Sequence, residues 1–187
     1  MSPNIPVSMH SYEEATEFSG AQAGACTDPA RLTVARNVIL ETLRLYPPLP
    51  MLTRVTTRDT ELGGHPIPQG TTVVFSPYTV QHRPELYPDP QSFLPERWAG
   101  YAPTLRPPRG PFVAFGSGAR KCIGDTFALT HATLALTSIA ARWRLHALTG
   151  RAPRPATSVA MSPRGLRLLP EMRHPPMLPV PGCHTGR

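Results

Sequence analysis

Cysteine is scarce in this chain. Three occur in 187 residues, Cys26, Cys122 and Cys183, odd in number and far apart. They fit no disulfide framework and no paired zinc-ligand spacing, so a reducing, cytoplasmic setting is expected. No run of about 18 consecutive apolar residues occurs, so no membrane-spanning helix is expected. Residues 1 to 18 lack a basic segment followed by an apolar one, so they do not read as a secretory leader. No internal repeat is visible. Acidic residues are fewer than basic ones, 12 against 19, for a net charge of +7. A basic balance raises nucleic acid as a partner. The arginines are scattered, however, and no aromatic platform accompanies them, so no nucleic acid is expected. A basic face for an acidic protein partner fits better. A basic interaction protein without any cofactor stays open as a minor alternative.

Proline, by contrast, is abundant, with 25 residues. The prolines gather between the putative elements and near the C-terminus, which suggests long ordered loops. Residues 1–170 are expected to form one domain, and residues 171–187 a Pro-rich disordered tail.

The chemistry concentrates in Phe112 to Leu129, FVAFGSGARKCIGDTFAL. Around Cys122 it spells F-G-x-G-x-R-x-C-x-G, with Phe115, Gly118, Arg120 and Gly124 as the other fixed points. Gly116 and Gly118 allow a tight backbone path under a flat cofactor. Phe115 can cover the sulfur, and Gly124 lets a helix start close to the cofactor plane. The apolar run that follows puts Cys122 at a helix N-terminus. Partial positive charge there, with Arg120 and Lys121 beside it, favours a thiolate. A lone cysteine beside a helix is more often a small hydrophobe; the framing residues argue for a ligand.

Two further motifs stand upstream in order. Pro29 to Tyr46 reads as a buried helix, with Asp28 as N-cap and Pro29 at its first position. Glu41 and Arg44 form E-x-x-R on one face. Taken alone, such a pair is usually a weak surface contact. Here it runs on as ETLRLYPPLP, and Pro47-Pro48 stops the helix. Residues 51 to 76 read as β structure, with turns at Gly63-Gly64 and at 67–70. Residues 82 to 98 carry four prolines and little periodicity, which makes a wrapped loop ending in Pro95-Glu96-Arg97-Trp98. A loop hydrogen bond is the expected role of His82. Gly124 to Arg142 reads as a helix about 28 Å long at 1.5 Å per residue. Nearly all its faces are apolar, so it is expected to be buried. WRLHAL, TSVAM and GLRLLP read as short strands with Pro-rich turns between them.

Together the Cys loop, the E-x-x-R helix and the P-E-R-W segment resemble the cytochrome P450 family, over roughly Tyr12 to Pro170. The resemblance implies an α+β, mainly helical fold, the C-terminal part of the P450 fold with a small β-sheet. It implies a haem b whose iron is held by Cys122. Arg54 and Arg120 would meet the haem propionates. Glu41, Arg44 and Arg97 would form one structural cluster. Met51, Leu52 and Thr53, with Val159 and Ala160 in a second turn, would face substrate. The implied activity inserts one oxygen atom of O2 into a small hydrophobic organic substrate. Electrons would come indirectly from NAD(P)H through a ferredoxin and its reductase, or a flavin reductase. The family's oxygen-activating helix has no counterpart here. Ala23 to Thr27 spells A-G-x-x-T, but Pro29 and the short spacing to Glu41 argue against it. A non-catalytic relic or a haem-binding fragment is therefore the alternative.

Overall fold

The computed structural model describes residues 32–101, 110–148, 154–157 and 160–173. The proposed cap Asp28-Pro29, the Ala23–Thr27 segment, Cys26, Val159 and Cys183 lie outside these residues.

Helix α1 spans Thr33–Leu45. Tyr46 N–H closes its end on the Thr42 carbonyl at 2.8 Å, and the two prolines that follow cannot continue it. Its buried residues are Ala35, Arg36, Leu40, Glu41, Arg44 and Leu45. One side of the helix is thus buried, and three charged residues lie on that side.

Strand β1, Leu52–Val55, pairs antiparallel with β4, Thr72–Phe75, matching Leu52 with Phe75 and Arg54 with Val73. Between them β2, Thr60–Leu62, and β3, His65–Ile67, form a hairpin. Its two-residue turn is Gly63-Gly64, with φ of 57° and 82°. That turn needs positive φ at both positions, which glycine supplies without strain. Helix α2, Pro77–Gln81, follows directly. Ser76 caps it, accepting from Thr79 N–H at 3.0 Å, with Pro77 at the first helical position. The sequence pattern marks no element at residues 77–81. Residues 82–94 wrap without regular structure into a 3₁₀ turn at Pro95–Trp98. A second 3₁₀ turn, Gly118–Arg120, leads into helix α3, Asp125–Arg142.

The C-terminal part is built from two more ladders. β5, Trp143–Ala147, pairs with β8, Leu168–Met172, and β6, Arg154–Thr157, pairs with β7, Met161–Arg164. Instead of one small sheet, the described residues hold four separate two-stranded pairs. Of the segment TSVAM, Thr157 ends β6 and Met161 begins β7, while Ser158 and Val159 lie outside the described residues. Several prolines also sit inside strands rather than turns: Pro66, Pro155, Pro163 and Pro170. In a two-stranded ladder every strand is an edge, so a missing N–H can point outward at no cost to the pairing. β8 carries ordered structure to Met172, past the expected start of the tail at Glu171.

The core is a cluster of Leu40, Tyr87, Trp98, Phe112 and Leu129, with Ile39, Leu43, Ala114 and Phe115 packed against it. It joins α1, the wrapped loop, the Cys loop and α3. Trp98 and Phe112 meet edge to face, ring centres 5.4 Å apart. α3 corrects the expectation of a helix buried all round. Only Leu129, Thr133, Thr137 and Ala140 are buried, one seam at helical spacing. The two threonines can be buried because their hydroxyls donate to the carbonyls one turn back, Leu129 and Thr133, at 2.7 and 2.9 Å. Phe127, Leu134 and Ile139 are exposed on the other faces.

Candidate haem-thiolate site

Cys122 is a free, exposed thiol. Its loop is held by short-range backbone bonds. Gly116 N–H donates to the Val113 carbonyl at 2.9 Å, Lys121 N–H to Gly118 at 3.1 Å, and Cys122 N–H to Phe115 at 2.9 Å. Gly116 and Gly118 have φ of 75° and 69°. This left-handed backbone is what demands glycine there, since an added Cβ would meet nothing closer than ordinary contact. Gly124 precedes α3 as its cap residue, and a Cβ on it would stand 3.9 Å from the Cys122 sulfur. The sulfur therefore lies just ahead of the helix N-terminus, as the spacing predicts. Phe115 is half-buried and packs on the core, 6.4 Å from the Phe112 ring.

Charge around the thiol is distributed unevenly. Lys121 is ion-paired with Asp125 in the first turn of α3. The Lys121 contact, with smaller help from Thr126, holds the Asp125 carboxyl below the usual carboxylate range. Arg120 is exposed, and among the described residues no hydrogen bond or ion pair engages its guanidinium. Arg54 lies on β1, also exposed. Its Nη1 donates to the Thr53 carbonyl at 2.7 Å, and its guanidinium lies 5.9 Å from the Phe75 ring centre. No contact joins Arg54 to the Cys loop among the described residues. Met51 and Thr53 are exposed and Leu52 is half-buried. Met161 N–H donates to the Pro48 carbonyl at 2.7 Å, which draws the start of β7, next to Ala160, against the segment that leads into Met51.

Glu41, Arg44 and Arg97 do come together, more completely than a triad suggests. Glu41 and Arg44 are wholly buried. Arg44 grips Glu41 with both edges of its fork, Nε to Oε2 at 2.9 Å and Nη2 to Oε1 at 2.8 Å. Its other N–H groups donate to the carbonyls of Gln81 and Pro90, each at 2.9 Å, and Ser92 at 3.1 Å. All five guanidinium donors are thus used. Glu41 also accepts from Arg97 Nε at 3.4 Å, Leu94 N–H at 3.1 Å and Trp98 Nε1 at 2.9 Å. Asp89, with φ of 49°, turns the loop just before Pro90. The Tyr87 ring lies 5.2 Å from the Arg44 guanidinium carbon and 5.9 Å from that of Arg97. Burial pushes the Tyr87 hydroxyl far above its ordinary range. Trp98, Tyr87 and Gln81 were not singled out from the sequence. Trp98 at least stood in the P-E-R-W motif; the other two carried no signal.

His82 takes the expected loop role. Its Nδ1–H donates to the Tyr78 carbonyl at 2.7 Å and its ring stacks on Tyr78 at 4.0 Å.

The family model for Cytochrome P450 matches residues 10–170. The chain belongs to the cytochrome P450 family. It is 41% identical over 171 residues to cyclooctatin synthase of Streptomyces melanosporofaciens, covering 91% of this chain and 37% of that protein. Cyclooctat-9-en-7-ol 5-monooxygenase of the same organism is 43% identical over 148 residues, 79% of this chain and 32% of the relative. Pentalenene oxygenase of Streptomyces avermitilis is 42% identical over 165 residues, 88% of this chain and 36% of the relative. The chain thus spans about a third of the length of the curated relatives it matches.

This P450 family membership implies haem iron, and the residues present fit it. A free thiol is exposed at a glycine-shaped loop tip. Ile123 and Phe127 beside it are exposed and apolar, as the face of a tetrapyrrole requires. The unengaged Arg120 guanidinium suits a carboxylate. Among the described residues no helix is long and apolar enough to cross a membrane.

Proposed function

We propose that this chain provides the thiolate face of a haem monooxygenase. Cys122 would hold the iron, and Arg120 and Arg54 would hold the two propionates. Thiolate-ligated haem iron supplies oxygen activation, the sulfur's electron donation favouring O–O cleavage. The chain's own part is positional. The backbone bonds of the Cys loop present the sulfur ahead of the N-terminus of α3, with the exposed Arg120 on the same loop. Ile123 and Phe127 offer the apolar surface on which a flat ring can lie. Met51, Leu52 and Thr53, with Val159 and Ala160, would line the substrate side, suited to a small hydrophobic organic molecule. That class agrees with relatives named for cyclooctat-9-en-7-ol and pentalenene oxidation. The basic surplus, with Arg120 and Lys121 beside the thiol, favours an acidic electron donor such as a ferredoxin supplied from NAD(P)H.

One observation carries the reading: Cys122 is exposed at the tip of a loop whose every neighbouring turn is fixed. Reconstitution with haem tests it. The ferrous carbon monoxide complex should show the red-shifted Soret band of thiolate ligation, and Cys122→Ala should remove it. A variant that keeps the band would overturn the assignment, with Cys26→Ala and Cys183→Ala as unchanged controls.

A further inference from the structure

Gln81 ends α2 and is wholly buried, although it is neither apolar nor charged. Every hydrogen-bonding atom of its amide is occupied. Nε2 donates to the carbonyls of Leu43 at 3.2 Å and Arg44 at 3.0 Å, in the last turn of α1. Those carbonyls belong to the helix end that lacks intrahelical partners. Oε1 accepts from Val113 N–H at 2.9 Å. The backbone carbonyl of the same residue accepts from Arg44 Nη1 at 2.9 Å. Val113 opens the loop that carries Cys122. Its own carbonyl accepts from Gly116 N–H, and Phe115, one residue before that glycine, accepts from Cys122 N–H. One side chain therefore ties the buried Glu41–Arg44 pair and the end of α1 to the root of the cysteine loop.

We propose that Gln81 is a positioning residue for the Cys122 loop. This rests on the haem-thiolate reading for its consequence, though not for its geometry. Among the described residues the loop root has no ladder partner. Val113 N–H would be a half-buried donor without an acceptor if Gln81 were absent, because among the described residues no other acceptor engages it. The fit is also length-specific. The amide must reach two carbonyls on one side and an amide on the other, so shortening it by one methylene breaks at least one end. A hydrophobe of equal length fills the space and keeps the packing, but leaves both helix carbonyls and the loop amide unpaired.

The test compares the full 187-residue chain with Gln81→Met and Gln81→Asn. Hydrogen exchange read by mass spectrometry should rise roughly tenfold or more in peptides covering 110–124 of Gln81→Met, the scale expected when a buried donor loses its partner. Exchange in the β1–β4 pair should stay at the wild-type rate. A uniform rise across the chain would show a merely structural residue, and no rise would show no tether; either overturns the proposal. After haem reconstitution, Gln81→Met should lose part of its thiolate-type Soret band and release haem faster. Gln81→Asn should fall between Met and wild type. A Gln81→Met protein with unaltered band and haem release also overturns the proposal. If the wild-type chain shows no thiolate band at all, the haem reading fails, and the exchange comparison alone decides whether Gln81 holds the loop.

Discussion

Replacing Glu41 by alanine should unfold the protein or bring it near unfolding. Glu41 accepts five hydrogen bonds, from Arg44 Nε and Nη2, Arg97 Nε, Trp98 Nε1 and Leu94 N–H. The substitution strands a wholly buried guanidinium and orphans the buried indole N–H as well. Breaking a buried charged pair by removing one partner costs about 3–5 kcal/mol. Each further unpaired buried donor adds about 1–3 kcal/mol, less than additively because the groups share one site. A loss of at least about 4 kcal/mol follows, against the roughly 5–15 kcal/mol that holds a typical domain together. The assay is a urea titration followed by far-UV circular dichroism. Glu41→Ala should show no cooperative transition or a strongly lowered midpoint. Glu41→Leu combined with Arg44→Met should recover part of the loss, because the wholly buried guanidinium is removed with its partner and only the less buried Arg97 loses an ion pair. A single Glu41→Ala variant within about 0.5 kcal/mol of wild type, the ordinary range for exposed sites, would refute the cluster's structural role.

Arg54→Leu and Arg120→Leu should each speed haem dissociation while leaving the thiolate band in place, since a charge-assisted bond is worth about 1.5–3 kcal/mol; unchanged dissociation in both would remove them from the propionate assignment. His82 should make stability depend on pH: burial is the largest influence and lowers its pKa from 6.5, with the Tyr78 carbonyl opposing. The folded chain therefore takes up this proton at lower pH than the unfolded chain, so stability is full above about 6.5 and falls as pH drops through the folded value. Denaturation midpoints at about pH 7.5 and pH 5.5 should differ less in His82→Asn than in wild type, and equal differences would show that His82 contributes nothing.

Motif residues were legible because their chemistry needs fixed spacing. The glycines at 116 and 118 could be foreseen, as could the helix that follows Cys122 and the convergence of Glu41, Arg44 and Arg97. Composition misled where burial depended on partners. α3 is apolar on most faces, yet it packs by one seam that includes Thr133 and Thr137, residues that periodicity scores as polar. β6 and β7 were poorly marked because Pro155 and Pro163 within them normally argue against a strand. Nothing local marks a two-stranded pair in which both strands are edges. Gln81 was invisible for a related reason. A glutamine beside His82 and Arg83 reads as a solvated loop residue, and its side chain's hydrogen-bond partners are carbonyls 37 and 38 positions earlier and an amide 32 positions later.

The wrapped loop explains why a charged pair occupies the centre of this fold. Between His82 and Leu94 the chain has no regular structure, so its inward carbonyls and amides have no ladder to join. Buried backbone groups without partners are costly. Apolar side chains at positions 41 and 44 would leave the carbonyls of Gln81, Pro90 and Ser92 and the amide of Leu94 without acceptable partners. Arg44 supplies three donors to those carbonyls and Glu41 an acceptor to that amide, and each neutralises the other. The pair thus does for an irregular, proline-rich loop what a neighbouring strand does in a sheet. Once the loop is fixed, Trp98 stands between Glu41 and Phe112, and Gln81 reaches Val113. The position of Cys122 is then set by two routes from the same buried pair, one apolar through Trp98 and Phe112 and one polar through Gln81.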